Sequence, residues 1–183
     1  MKIQIIGYSG AGKSTLAVKL ANRFGIPLLH LDNVHFFDQW QERPLEEENR
    51  IVRTFLSENE SWVIDGNYNR VAPERFAQSD VTIYLNYNRL YCYLKSFERY
   101  RANRGKTRSS CGCIEKFDGE FQRWILFEGR TKKRRISHLS NLSKTPGRQL
   151  VFKNVRQLEK WLSASGIEQS ISPKTPAKPF SKR

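Results

Sequence analysis

The sequence predicts an α/β fold, a five-stranded parallel sheet with helices on both faces in three layers, and three observations predict it. Short apolar runs alternate along the chain with stretches of helical period. The first run opens into a glycine-rich loop, Gly7-Tyr8-Ser9-Gly10-Ala11-Gly12-Lys13-Ser14-Thr15, and then into an amphipathic helix. Two later runs close on a carboxylate, Asp32 and Asp65. Strand and helix in alternation imply right-handed βαβ crossovers and therefore parallel strands.

Each element follows in turn. Lys2 to Ile6 is short, apolar and closed by Gly7, as a buried parallel strand is. Leu16, Ala17, Leu20, Ala21 and Phe24 recur at helical spacing until Gly25 and Pro27 stop them. Leu28 to Leu31 reads as a second strand ending at Asp32, and a helix from about Leu45 to Ser57 sets Leu45, Val52, Phe55 and Leu56 on one side. Trp62 to Ile64 is the third strand, closed by Asp65-Gly66, and Val81 to Leu85 the fourth. A helix from about Leu90 to Arg101 aligns Leu90, Leu94 and Phe97.

Residues 104–117 show no period and read as a mobile loop. One helix is expected from Asp118 to about Leu142, with Phe121, Ile125, Ile136 and Leu139 near one stripe and Gly129 weakening its middle. Leu150 to Phe152 makes the fifth strand. Asn154 then caps a last helix that packs Leu158, Trp161 and Leu162 inward and ends at Gly166. Residues 1–168 are thus expected to form a single domain with a lid insertion at about 104–134, and residues 169–183 a disordered basic tail.

Composition narrows the function classes. Hydrophobic residues make up 38% and charged residues 27% of 183, which supports one well-buried domain. No apolar run approaches the ~20 residues that span a bilayer, so no membrane partner is expected. The first apolar run is too short for a signal-peptide core, and three clustered cysteines, Cys92, Cys111 and Cys113, make no disulfide framework, so a cytoplasmic location is expected. The net charge of +14 is local: residues 99–135 hold 12 basic and 4 acidic side chains, whereas the first 98 residues are near balance.

Gly7 to Thr15 fits G-x-x-x-x-G-K-[ST] and stands between a buried strand and an amphipathic helix, where that motif works. Its glycines let backbone N–H groups of Gly7, Ser9, Gly10, Ala11, Gly12, Lys13, Ser14 and Thr15 curl around phosphate oxygens. Lys13 reaches the β and γ phosphates, Ser14 ligates Mg²⁺, and the helix N-terminus adds partial positive charge. ATP and Mg²⁺ are the expected cofactors. The chain has no guanine-reading Asn/Thr-Lys-x-Asp motif and is too short for a motor domain.

In such a sheet, ligands sit beyond the carboxyl ends of the strands, where Asp32 and Asp65 stand. Asp65 suits the metal and Asp32 the acceptor hydroxyl; simple capping of the following segment is the alternative for each. In the basic segment, Arg130 and Arg134 share a helix face, and Arg104 and Arg108 approach from the other side of the loop. Arginines on a closing lid stabilise the charge of phosphoryl transfer. A nucleic-acid surface and a plain solvated face are the other readings of this segment. His30 reads as a packed core histidine, and the Cys-x-Cys spacing argues against zinc.

On these residues the chain resembles the topology modulation proteins (FlaR-like), small P-loop NTPases related to adenylate kinase and shikimate kinase. The resemblance lies in Ile5 to Thr15, Leu29-His30-Leu31-Asp32, Trp62-Val63-Ile64-Asp65-Gly66-Asn67-Tyr68, Arg104-Gly105-Lys106-Thr107-Arg108 and the Arg130 to Arg135 cluster. It implies a P-loop NTPase fold with a kinase-like core, Asp65 near the metal and Arg70 on the phosphate of the acceptor. Asn67-Tyr68-Asn69 departs from the Phe-Pro usual in nucleoside monophosphate kinases. The expectation is an ATP-dependent phosphotransferase, with Lys13, Asp32, Asp65, Arg130 and Arg134 as catalytic residues. Its partners are ATP and a small-molecule or nucleotide acceptor. A nucleotide-responsive DNA- or RNA-binding protein is the alternative.

Overall fold

The computed structural model describes residues 1–37, 40–107 and 113–165. Five strands, β1 (Lys2–Gly7), β2 (Leu28–His30), β3 (Trp62–Asp65), β4 (Val81–Leu85) and β5 (Arg148–Phe152), form one parallel sheet in the order β2-β3-β1-β4-β5. Register sets Ile5 beside Asp65 and Ile83, and His30 beside Asp65. The helices are α1 (Lys13–Phe24), α2 (Leu31–His35), α3 (Leu45–Glu58), α4 (Arg89–Asn103), α5 (Gly119–Leu126), α6 (Lys132–Ser143) and α7 (Val155–Ala164).

Two apolar clusters hold the helices to the sheet. Leu16, Ala17, Leu20 and Ala21 of α1 pack with Ile3, Ile5, Ile83 and Leu85, and Ile125, Leu142 and Leu162 join them from α5, α6 and α7. Val52, Phe55 and Leu56 of α3 pack with Leu29, Trp62 and Ile64. Gly25 ends α1 in a left-handed turn at φ 63°, and the Asn154 side chain accepts from the Gln157 amide at the start of α7.

Three expectations are corrected. β2 stops at His30, and Leu31 opens a helix in which Leu31 and Val34 are buried one turn apart, so Asp32 lies in the first turn of α2 rather than at a strand end. A carboxylate is favoured there by the partial positive charge of the helix terminus. The Leu90, Leu94 and Phe97 stripe of α4 faces outward, at 66%, 57% and 40% exposure, and the buried face is Cys92 and Ser96. Small side chains are needed there because Gly10 packs against the Cys92 carbonyl and the Ser96 hydroxyl.

The single helix expected from Asp118 to Leu142 is two helices. The chain turns through Glu128–Arg130, where a side chain on Gly129 would meet the Trp124 carbonyl at 2.8 Å. Thr131 then caps α6 by accepting from the Arg134 amide. The inward face of α6 is His138, Asn141 and Leu142, and Ile136 and Leu139 are exposed. In the described parts of the 104–117 stretch, Thr107 bridges Ile114, and the buried Glu115 pairs with Arg99 of α4 at 3.0 Å. Arg108, Cys111, Gly166 and the basic tail lie outside the described residues.

Candidate functional site

The site begins where β1 turns into α1. Gly10 and Gly12 adopt φ 79° and 86°, the left-handed region open to glycine, which curls the loop back on itself. The Ala11 amide donates to the Tyr8 carbonyl at 3.1 Å. The Asn67 side chain clips the start of the loop, accepting from the Gly7 amide at 2.9 Å and donating to the Gly7 carbonyl at 2.8 Å. α1 starts at Lys13 with no side-chain cap and no acidic residue in its first turn. Its first amides and their positive end are therefore left for an anion.

Lys13 reaches back over the loop, with Nζ donating to the Tyr8 carbonyl at 3.2 Å. Burial lowers its pKa, against the opposing pull of Asp32 and Asp65. Ser14 Oγ donates to Asp65 Oδ2 at 2.8 Å, and the other oxygen of Asp65 pairs with His30 Nδ1. Burial pulls the His30 pKa down, but the hydrogen bond and charge of Asp65 outweigh it and the net direction is up. His30 is thus a partner of the site rather than a plain core residue. The signal that finds it is the pairing of β2 with β3, which sets His30 level with Asp65.

A second wall comes from α2 and the loop after β3. Tyr68 donates to Asp32 at 2.8 Å, and the Tyr68 ring lies 4.5 Å from that of His35. His35 Nδ1 lies 3.0 Å from the buried Glu48. The loop carrying Tyr68 is held by Arg75, a fully buried arginine with no carboxylate partner among the described residues. Its guanidinium donates to Gln4 Oε1 at 3.0 Å and to the carbonyls of Tyr68, Val71 and Ala72. Burial lowers its pKa to about 9.

The third wall comes from the insertion. Trp124 Nε1 donates to Ser9 Oγ at 3.3 Å, and the Arg134 guanidinium lies 4.1 Å over the Trp124 ring. Arg130 stacks 4.0 Å over Tyr8 and donates to the carbonyls of Ile125 and Tyr87 at 3.0 and 2.8 Å. His138 lies edge-on to Tyr8 and Tyr84. Burial, then the charges of Lys13 and Arg134, lower its pKa to about 4, so it is neutral near pH 7.

These walls enclose a cavity of about 490 Å³. Ser9 and Lys13 line it from the phosphate loop, Asp32 and His35 from α2, Tyr68 and Asn69 from the loop after β3, and Trp124, Arg134 and His138 from α5 and α6. Arg130 lines a smaller pocket of about 30 Å³ that shares Ser9, Asn67, Trp124, Arg134 and His138 with the large one. Arg70 and Arg104 are exposed and do not line the cavity. At Arg70 the reason is local: Asn69 turns to α6, where it donates to Ser137 Oγ and accepts from Asn141, and occupies the wall instead.

No family model matches the chain. Among solved structures it is similar to a shikimate kinase from Acinetobacter baumannii in complex with shikimate, at a TM-score of 0.53 and 14% identity over 93% of this chain and 95% of that one. It is also similar to a deoxyadenosine kinase from M. mycoides with bound dATP, at a TM-score of 0.51 and 17% identity over 90% of this chain and 98% of that one. One curated relative, the uncharacterized protein YqaC of Bacillus subtilis, is 34% identical over 65 residues, which is 35% of this chain and 36% of that protein. The chain therefore spans about a third of the curated relative it matches. No helix among the described residues is long and apolar enough to cross a membrane. At these identities the likeness is one of fold, and the fold is that of the P-loop kinases.

Proposed function

We propose that this chain is an ATP-dependent phosphotransferase that moves the γ-phosphoryl group of ATP to a hydroxyl of a small-molecule or nucleotide acceptor. The observation that carries the proposal is that Lys13 and Asp32 line one cavity, beside the Ser14–Asp65 pair. The phosphate loop amides and Lys13 hold the β and γ phosphates. Asp32 accepts the proton of the acceptor hydroxyl as its oxygen bonds to the γ-phosphorus and the bond to the β-phosphate oxygen breaks, leaving ADP. Tyr68 orients Asp32 through its 2.8 Å hydrogen bond.

Ser14 and Asp65 offer a hydroxyl and a carboxylate oxygen 2.8 Å apart, a hard oxygen set that suits Mg²⁺. Bound there, the metal would neutralise charge on the phosphates. His30 fixes the far oxygen of Asp65 and so aims the near one. The kinase names of the solved neighbours, one with shikimate and one with dATP, agree with this reading. Arg130 and Arg134 stack on Tyr8 and Trp124 at the loop, which favours the lid over a nucleic-acid surface for this part of the basic segment.

ADP release measured against nucleosides, nucleotides and hydroxylated metabolites tests the proposal. At least one acceptor is expected to raise release above the ATP-only rate. Bound ATP with no acceptor effect across the panel contradicts it.

A further inference from the structure

We infer that the acceptor taken by this cavity is a flat-ringed compound with a free hydroxyl and no negative charge, neutral or cationic, and not a phosphate ester. The inference rests on the phosphotransferase reading and narrows its acceptor class. Three observations carry it, and the first is charge. The described residues lining the cavity include five carboxylates, Asp32, Glu42, Asp118, Glu120 and Glu128, against three cations, Lys13, Lys116 and Arg134.

The three cations are not equally available. Lys13 belongs to the phosphate loop and serves ATP. Arg134 is engaged on the Trp124 ring and donates to the Glu128 carbonyl at 3.2 Å. Lys116 lies 5.5 Å from the centre of the Trp40 ring and leaves one loosely held cation for an anionic acceptor. Of the carboxylates, Asp32 is the half-buried one, whereas Glu42, Asp118, Glu120 and Glu128 are exposed at the rim, Glu42 beside His35 and Glu128 beside Arg123. A dianionic ester therefore meets its strongest like charge at Asp32 and a weaker, salt-screened one at the rim.

The second observation is the site where an acceptor phosphate was expected. Arg70 is exposed and outside the cavity, and the neutral Asn69 stands in the wall, tied to Ser137 and Asn141. The third is the aromatic lining. Phe36, Trp40, Tyr68, Phe121 and Trp124 line the cavity. Trp40 is held at φ 64°, a conformation a bulky residue adopts only under restraint. The restraint comes from both walls: Trp40 Nε1 donates to the Ile114 carbonyl at 3.1 Å, and its ring meets Phe36 edge-on at 5.1 Å. A flat ring among these aromatic side chains gains contact area at little cost in ordering, in the same cavity that Asp32 lines.

The experiment is calorimetric titration of the full chain, with Mg²⁺ and a non-hydrolysable ATP analogue present. The probes are matched pairs: adenosine and AMP, cytidine and CMP, pyridoxine and pyridoxine phosphate. At least one unphosphorylated member is expected to bind about tenfold or more tightly than its ester. Esters that bind as tightly or more tightly, or no binding by any unphosphorylated member, overturn the inference.

Trp40→Ala is expected to weaken binding of that compound about tenfold, with Trp40→Phe retaining it and affinity for the analogue unchanged in both. Unchanged acceptor affinity in Trp40→Ala overturns the ring platform. ADP release with ATP separates the two readings. Neutral compounds that bind without driving release contradict the phosphotransferase and uphold the ligand class, whereas release driven by esters alone does the reverse.

Discussion

Lys13 is an ammonium withdrawn from water and set beside Asp32 and Asp65, an arrangement that gains most when phosphates arrive. Lys13→Ala is expected to lower ATP turnover by about 10³-fold or more with the far-UV circular dichroism unchanged; near wild-type turnover contradicts the role given to it. Asp32→Asn keeps the shape and removes the base, so kcat is expected to fall by about 10²- to 10⁴-fold while ATP affinity stays within error. His138 makes a prediction about pH. Its pKa is about 4 in the fold against 6.5 for a free histidine. Between those values the unfolded chain binds more protons, so stability is full above pH 6.5 and falls as pH drops toward 4, by at most about 3 kcal/mol. Thermal unfolding across that range should show the loss in the wild type and a flatter profile in His138→Gln.

The phosphate loop is an element held from behind. Gly10 leaves no room for a side chain against the Cys92 carbonyl and Ser96 hydroxyl of α4, and its φ of 79° resists one as well. Gly10→Ala is expected to cost roughly 2–4 kcal/mol in urea unfolding and to weaken ATP binding. The loop after β3 that carries Tyr68 is held in the same way by Arg75. Arg75→Met leaves the carbonyls of Tyr68, Val71 and Ala72 without their donor, so the KM for acceptor should rise while the KM for ATP does not. The elements legible in the sequence were those set by local pattern: β1, the loop, α1, α3, β3, β4 and the Asn154 cap. Less legible were those set by a distant neighbour. The Leu28 to Leu31 run carries no mark of the α2 turn at Leu31, and the outward stripe of α4 follows from a helix that must meet Gly10 with small residues. His30 was hidden for the same reason, since only strand order puts it on Asp65.

Across the whole molecule, the parallel sheet brings the ends of β1, β2 and β3 together, and the insertion closes over them. Its described parts are tied at both ends: Glu115 to Arg99 of α4, and Cys113 Sγ and the Ile114 carbonyl to Phe37 and Trp40. The basic charge that stood out along the chain is divided by this fold, with Arg130 and Arg134 at the phosphate loop and Arg104 on the surface. The lining of one cavity by Lys13, Asp32, Trp124 and Arg134 supports the proposed transfer to an acceptor rather than to water. ATP labelled in its γ-phosphate, incubated with the chain and the acceptor panel and separated by chromatography, tests that claim most directly. The account predicts label on an organic acceptor in the wild type and none in Lys13→Ala. Label that stays on ATP, or leaves only as inorganic phosphate with every acceptor tried, would contradict it.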